Sequence, residues 1–235
     1  MKVNCAWEHN GDDTLLYAVN CVGAYTRGAN REQALGKMPE EIMAYLRWSG
    51  EPAPERVEIE IVQEKASGLQ IADADSDIMF EEERSPLSEN EYLRLKALAL
   101  KSAKDFHELY ASIPDKNASC LPERNTFYGT VPRTAQEMYE HTKNVNSYYF
   151  GEIGVDADNA GTIFECRRRG FAILEQCDNF LQAPAVIGSY DELWSVRKVL
   201  RRFIWHDRIH AKAMYRMAVR TFGKSGVRDP FQFGE

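Results

Sequence analysis

The 235-residue chain has no run approaching the ~18 to 20 apolar residues that a membrane-spanning helix needs. Its first residues include the polar Asn4, Glu8 and His9 where a secretory signal requires an apolar segment, so a cytoplasmic location is expected. Cysteine is sparse: Cys5, Cys21, Cys120, Cys166 and Cys177 are odd in number, widely spaced and without a CxxC. That pattern argues against a disulfide framework and against a thiolate zinc site, and leaves reduced thiols. Cys166 and Cys177, three helical turns apart, read as small core residues sharing a face. No repeat of 20 to 50 residues is present, which excludes a solenoid.

What is present is a composition that can bury a core, 44% hydrophobic, with a formal net charge of −7. The charge is lopsided. Residues 163–228 hold 13 Lys or Arg against 6 Asp or Glu, a balance of +7, so the rest of the chain carries −14. An acidic majority disfavours nucleic acid as a partner, while the basic segment could attract an anionic small molecule or dock on the acidic part. Solvated helix faces are the default reading of those arginines.

The hydrophobic period changes along the chain. Val3–Trp7 and Leu15–Val19 read as short strands, Arg31–Trp48 as a helix capped by Asn30 with Gln33 in the reciprocal position, and residues 57–62 as an alternating strand. This small α/β unit spans 1–72, and the acidic stretch Asp73–Glu83 reads as a linker. Downstream, the S/T-x-x-E signature of a capping box appears at Ser88, Thr134, Thr162 and Ser189. With stops at Pro114, at Gly151 or Gly154, at Pro184 and at Gly223, four helices are predicted near 89–113, 135–152, 163–183 and 190–222. The fold class expected is α+β, an α/β domain followed over 84–235 by a four-helix bundle.

Two histidines interrupt the apolar stripe of the last helix, which runs Val196, Val199, Phe203, His206, His210, Ala213, Met217. His141 interrupts a second stripe, Met138, His141, Val145, Tyr148. Side chains at i and i+4 stand roughly 5 to 6 Å apart at Cβ, so two imidazoles can share an ion at about 2.0 to 2.1 Å, with a facing helix supplying the third. Burying three imidazoles without partners costs on the order of 1 to 3 kcal/mol each, so either a metal or a connected hydrogen-bond network must meet them. Nitrogen-only ligands select Zn²⁺, with Ni²⁺ or Fe²⁺ as alternatives, over Ca²⁺ and Mg²⁺. The run His206-Asp-Arg-Ile-His210 lacks the glutamate of HExxH and is not that of a zincin protease. Glu137 and Asp207 are chemically suited to orient the ligand imidazoles, and Arg202, one turn before His206, to contact an anionic substrate; Tyr148 and Met214 could line a pocket, with ordinary core packing the favoured reading for both. His107, a surface or boundary residue, and His9, in a turn, fall outside this set.

On these residues the segment Ser88–Phe222 resembles the DinB-like (YfiT-type) superfamily. Its signature is a histidine early in the second helix, here Thr134-Ala-Gln-Glu-Met-Tyr-Glu-His141, and an HxxxH pair in the fourth, here Trp205-His-Asp-Arg-Ile-His210. The match covers a little over half the chain. The resemblance implies an up-down-down-up four-helix bundle, frequently a homodimer, with a divalent metal on His141, His206 and His210. Among such proteins are thiol-dependent transferases and isomerases that use a low-molecular-weight thiol. The N-terminal stretch Ala18–Leu35 resembles a HicB-like domain, with its Gly-turn, Thr-x-Gly and helix start, though Ala24 stands where a Cys is common and the third strand is weakly written. That likeness implies a protein-interaction role or packing against the bundle.

Two functions are therefore expected. One is a metal-dependent enzyme, a thiol S-transferase or hydrolase acting on a small molecule. The other is a non-catalytic stress or regulatory binding protein, its metal structural or sensory and its HicB-like domain holding a partner. They separate on whether the histidines face a cavity able to admit a ligand.

Overall fold

Period-two alternation at the start of the chain builds a four-stranded sheet. A computed structural model describes residues 1–126 and 129–234. In it, β1 (Lys2–His9), β2 (Thr14–Ala18), β3 (Tyr25–Gly28) and β4 (Glu58–Ala66) lie in the order β3-β2-β1-β4. β1 pairs antiparallel with β2 and parallel with β4, and β2 pairs antiparallel with β3. The parallel pair requires a crossover, supplied by α1 (Arg31–Ser49). The Asn30 side chain caps α1 by accepting from the Gln33 N–H at 3.0 Å, while the Gln33 side chain reaches back to the Ala29 N–H. His9 closes β1 and bonds Glu64, rather than lying in the turn.

Both faces of the sheet are covered, and every residue of β2 is buried. Successive side chains point to opposite faces. Val3, Cys5, Leu16 and Ala18 pack with Ala34, Met38 and Ile42 of α1 in the main core. Ala6, Leu15, Tyr17 and Tyr25 pack on the other side with Ile78, Phe80, Trp205 and Ile209.

The remaining helices are α2 (Glu89–Ser112), α3 (Ala135–Gly151), α4 (Ile163–Leu174) and α5 (Val196–Phe222). Complete capping boxes start α2, α3 and α4, with Ser88, Thr134 and Thr162 each satisfied by the glutamate three residues on. α5 packs against α2 and α3, and α4 against the same two. Between α2 and α3 lies the short hairpin β5 (Asn125–Thr126) with β6 (Gly129–Thr130); between α4 and α5 lies β7 (Val186–Ile187) with β8 (Leu193–Trp194). The protein is thus mixed α+β.

Three expectations about the later helices and the cysteines differ from this structure. The capping signature at Ser189 starts no long helix, because Tyr190 and Asp191 both take φ of +58°, a left-handed conformation incompatible with a helix interior. The working cap is Ser195, which accepts from the Lys198 N–H at 3.1 Å. α4 stops at Leu174, not at Pro184, since the apolar period lapses and residues 175–179 are all exposed. Cys177 is consequently exposed while Cys166 is buried, so the two share no face; all five cysteines are free.

The stretch Asp73–Glu83 is no solvated linker. Ser76, Ile78, Met79, Phe80 and Glu83 are buried, and the short apolar run Ile78-Met79-Phe80 is what its acidic composition concealed. The basic residues of α5 explain the rest. Arg201 pairs with Glu83 at 2.5 Å and Arg208 with Glu41 at 2.7 Å, all four side chains being buried rather than forming a solvated face. Where the turn after β2 meets α5, Gly23 at φ +98° lies against Ile204 so closely that a Cβ would collide with that side chain. Sheet and helices therefore share one interior.

Candidate metal centre

α3 and α5 present the three histidines to each other. Thr134 fixes the start of α3, which sets His141 two turns into the helix. α5 is held in rotation by Asp207, whose carboxylate takes a bidentate contact from Arg167 of α4 and a hydrogen bond from Ser102 of α2 at 2.5 Å. With Asp207 fixed toward α2 and α4, its neighbour His206 and the next-turn His210 face α3.

One ring nitrogen from each of His141, His206 and His210 lies within 4.8 Å of the other two. The Nε2 atoms of His206 and His210 are 3.2 Å apart. Two nitrogens each ~2.0 to 2.1 Å from a tetrahedral ion stand about 3.3 Å from one another, so this pair has the spacing of ligands. The Nδ1 of His206 is buried without a hydrogen-bond partner. Burial drives all three imidazoles toward their neutral, ligating form: His206 well below the usual range, with His210 and His141 adding to the effect, and His210 to about 3. His141, although open to solvent on the cavity side, is lowered by the partial desolvation of its ring.

The three are not equally enclosed. His206 is buried, His210 half-buried and His141 exposed, because the stripe that carries His141 faces a cavity rather than the packed interior. That cavity has a volume of about 370 Å³ and is lined by all three histidines. Its walls come from Tyr148 and Tyr149 of α3 and from Arg202, Trp205 and Ile209 of α5; its rim comes from Asp73–Ser76 and from the β5–β6 hairpin. Arg202 and Tyr148 both line this cavity. Trp205, Tyr149 and Ser76 were missed. The first two sit beside or one turn from residues already singled out, a signal that was available; Ser76 lies in the stretch read as linker.

Other expectations are corrected. Asp207 bonds Arg167 and Ser102 and no imidazole. Glu137 is spent on the α3 capping box, accepting from the Arg133 and Thr134 N–H groups at 2.8 and 3.0 Å. Met214 is the core residue that ordinary packing led one to expect and does not line the cavity. His107 is, as expected, a boundary residue, half-buried at the α2–α3 contact with its Nδ1 2.8 Å from the Tyr139 hydroxyl.

The donor set can hold a divalent ion through three neutral nitrogens and leave further coordination positions toward the cavity. Compared with known proteins, the chain matches no family model, no curated protein and no solved structure.

Proposed function

We propose that the protein is a metal-dependent enzyme acting on a small molecule, with His141, His206 and His210 as ligands to one divalent ion, zinc first and nickel or iron as alternatives. The observation that carries this reading is the cavity of about 370 Å³ onto which all three histidines open. A structural site would be closed by a fourth protein ligand, and no fourth Cys, Asp or Glu joins the cluster among the described residues. This favours catalysis over the sensory or structural alternative.

A divalent ion there supplies Lewis acidity, making a water or a low-molecular-weight thiol nucleophilic at neutral pH. The chain's own residues do the rest. The imidazoles of His206 and His210 stay neutral through burial, Asp207 fixes the helix that carries them, and the buried Tyr149 and Trp205 keep that side of the cavity apolar.

The same reading extends to the fold. Residues 84–235 are taken as a DinB-like four-helix bundle, supported by the placement of the single histidine on the second of α2–α5 and of the HxxxH pair on the fourth. Residues 1–72 are taken as HicB-like, supported by the strand-strand-strand-helix-strand order of β1–β3, α1 and β4. By that likeness a homodimer and a protein partner for the sheet domain are further proposals. The test of function is a screen of zinc- and nickel-loaded protein for transfer of small thiols to electrophiles and for hydrolysis of small esters and amides. Turnover that disappears in His206→Ala and in His141→Ala supports the enzyme; turnover retained by both variants contradicts it.

A further inference from the structure

Arg202 differs from the buried cations around it. Lys198 pairs with Glu192 at 2.8 Å, Arg201 with Glu83, Arg208 with Glu41 and Arg167 with Asp207. Arg202 has no carboxylate within ion-pair distance among the described residues; its Nη1 donates to the Ser76 carbonyl at 2.8 Å and its Nε is buried without a partner. Unpaired guanidinium nitrogens also occur on Arg201 and Arg167, one each, and on Arg208, two, but each of those guanidiniums has a counter-charge. Glu192, which acts on Arg202 through space, is already taken by Lys198.

The guanidinium rests instead on three aromatic rings, its Cζ 5.4 Å from the Tyr149 centroid, 5.6 Å from Trp194 and 5.0 Å from Trp205. Ring faces attract a cation without neutralising it. Burial raises the Tyr148 and Tyr149 phenols well above their ordinary range, so both stay neutral as well. A half-buried cation without a counter-ion is costly to keep unless something anionic arrives. The other cation on the cavity wall, Arg124, is already held by Asp73 at 2.6 Å.

We propose that Arg202 is the anion receptor of the histidine cavity, and that the pocket takes a small carboxylic acid with an apolar or aromatic body. The acid pairs with Arg202, the body lies against Tyr148, Tyr149 and Ile209, and the far end reaches the histidines one helical turn away. This deepens the enzyme reading by naming its substrate class, and it stands on Arg202 independently of whether an ion is bound.

The experiment compares phenylacetate with its neutral isostere phenylacetamide, by calorimetry and by the fluorescence of Trp194 and Trp205, on metal-stripped and on zinc-loaded protein. The acid is expected to bind at least about tenfold more tightly than the amide in both forms, the effect of one charge-assisted hydrogen bond. In Arg202→Met that preference is expected to vanish while zinc content is unchanged. Equal binding of acid and amide to the stripped protein, no saturable binding of the acid, or full acid preference in Arg202→Met overturns the proposal. A preference seen only with zinc places the carboxylate at the ion, overturning the role of Arg202 and leaving the metal centre standing. A preference in protein that takes up no zinc supports Arg202 and contradicts the metal centre. If Arg202→Met does not fold, the comparison of acid and amide on the unmodified stripped protein decides.

Discussion

α5 buries polar groups on two of its sides under different conditions. Toward the sheet, the 73–83 segment and α4, the charges of Arg201, Arg208 and Asp207 each meet an opposite charge. Toward α3, Arg202 has no counter-charge and His206 ends in a nitrogen without a partner. The first side fixes where α5 lies and how it is turned. The second is what that fixed helix presents to the cavity. The polar groups of α5 therefore divide into those with a partner in the protein and those left without one among the described residues.

The largest effect should come from removing the first side's partners altogether. A chain beginning at Glu82 keeps all three histidines but loses Glu41, Ile78 and Phe80, and exposes Trp205 and Ile209. It is expected not to fold cooperatively, as judged by thermal denaturation monitored by circular dichroism. A stable, helical fragment with a sharp transition would show that the two parts are separable and that the shared interior contributes little.

Single charges should matter next. Asp207→Ala strands the fully buried Arg167 and is expected to cost about 3 to 5 kcal/mol in urea denaturation. His206→Ala, in protein stripped of metal, removes a group that has no such partner and should cost far less. Equal losses would erase the distinction between the two sides.

Glu8 offers a pH-dependent version of the same test. It is fully buried under the 73–83 segment, accepting from the Ser76 hydroxyl at 2.5 Å, and burial pushes its carboxyl up to about 7. Because the folded pKa lies above the unfolded one, the folded protein holds a proton that the unfolded chain has released. The stabilisation is complete below the unfolded carboxylate pKa and is lost as pH rises toward about 7. Between those limits the protein should lose on the order of 2 to 3 kcal/mol relative to Glu8→Gln. In neighbouring Asp77 burial acts upward, but the Lys65 ammonium at 2.5 Å holds the group below its ordinary range, so its own effect falls at lower pH. Parallel stability profiles for the two proteins would contradict the burial of a protonated Glu8. The smallest effect is expected from Thr134→Ala, which removes the cap that sets the register of His141 and should cost about 1 kcal/mol.

Much of this organisation could be read along the chain. Capping boxes located three of the four later helices to within a residue at their starts, and the i, i+4 spacing of His206 and His210 with the lone His141 pointed to three side chains that do come together. The parts that could not be read are those set by tertiary contact. Ser189-x-x-Glu192 has the form of a cap, but backbone dihedrals at Tyr190 and Asp191 rule the helix out. Asp73–Glu83 has the composition of a linker, yet three consecutive apolar residues and the cations of α5, distant in sequence, fold it in. Asp207 stands beside His206 in sequence and points away from the histidine cluster, since adjacent helical residues do not share a face.

Zinc titration of metal-stripped protein tests the centre most directly. One ion per chain is expected to bind, with the affinity largely lost in each of His141→Ala, His206→Ala and His210→Ala while helix content persists. A folded His206→Ala or His141→Ala that still takes up one ion with undiminished affinity would contradict the assignment.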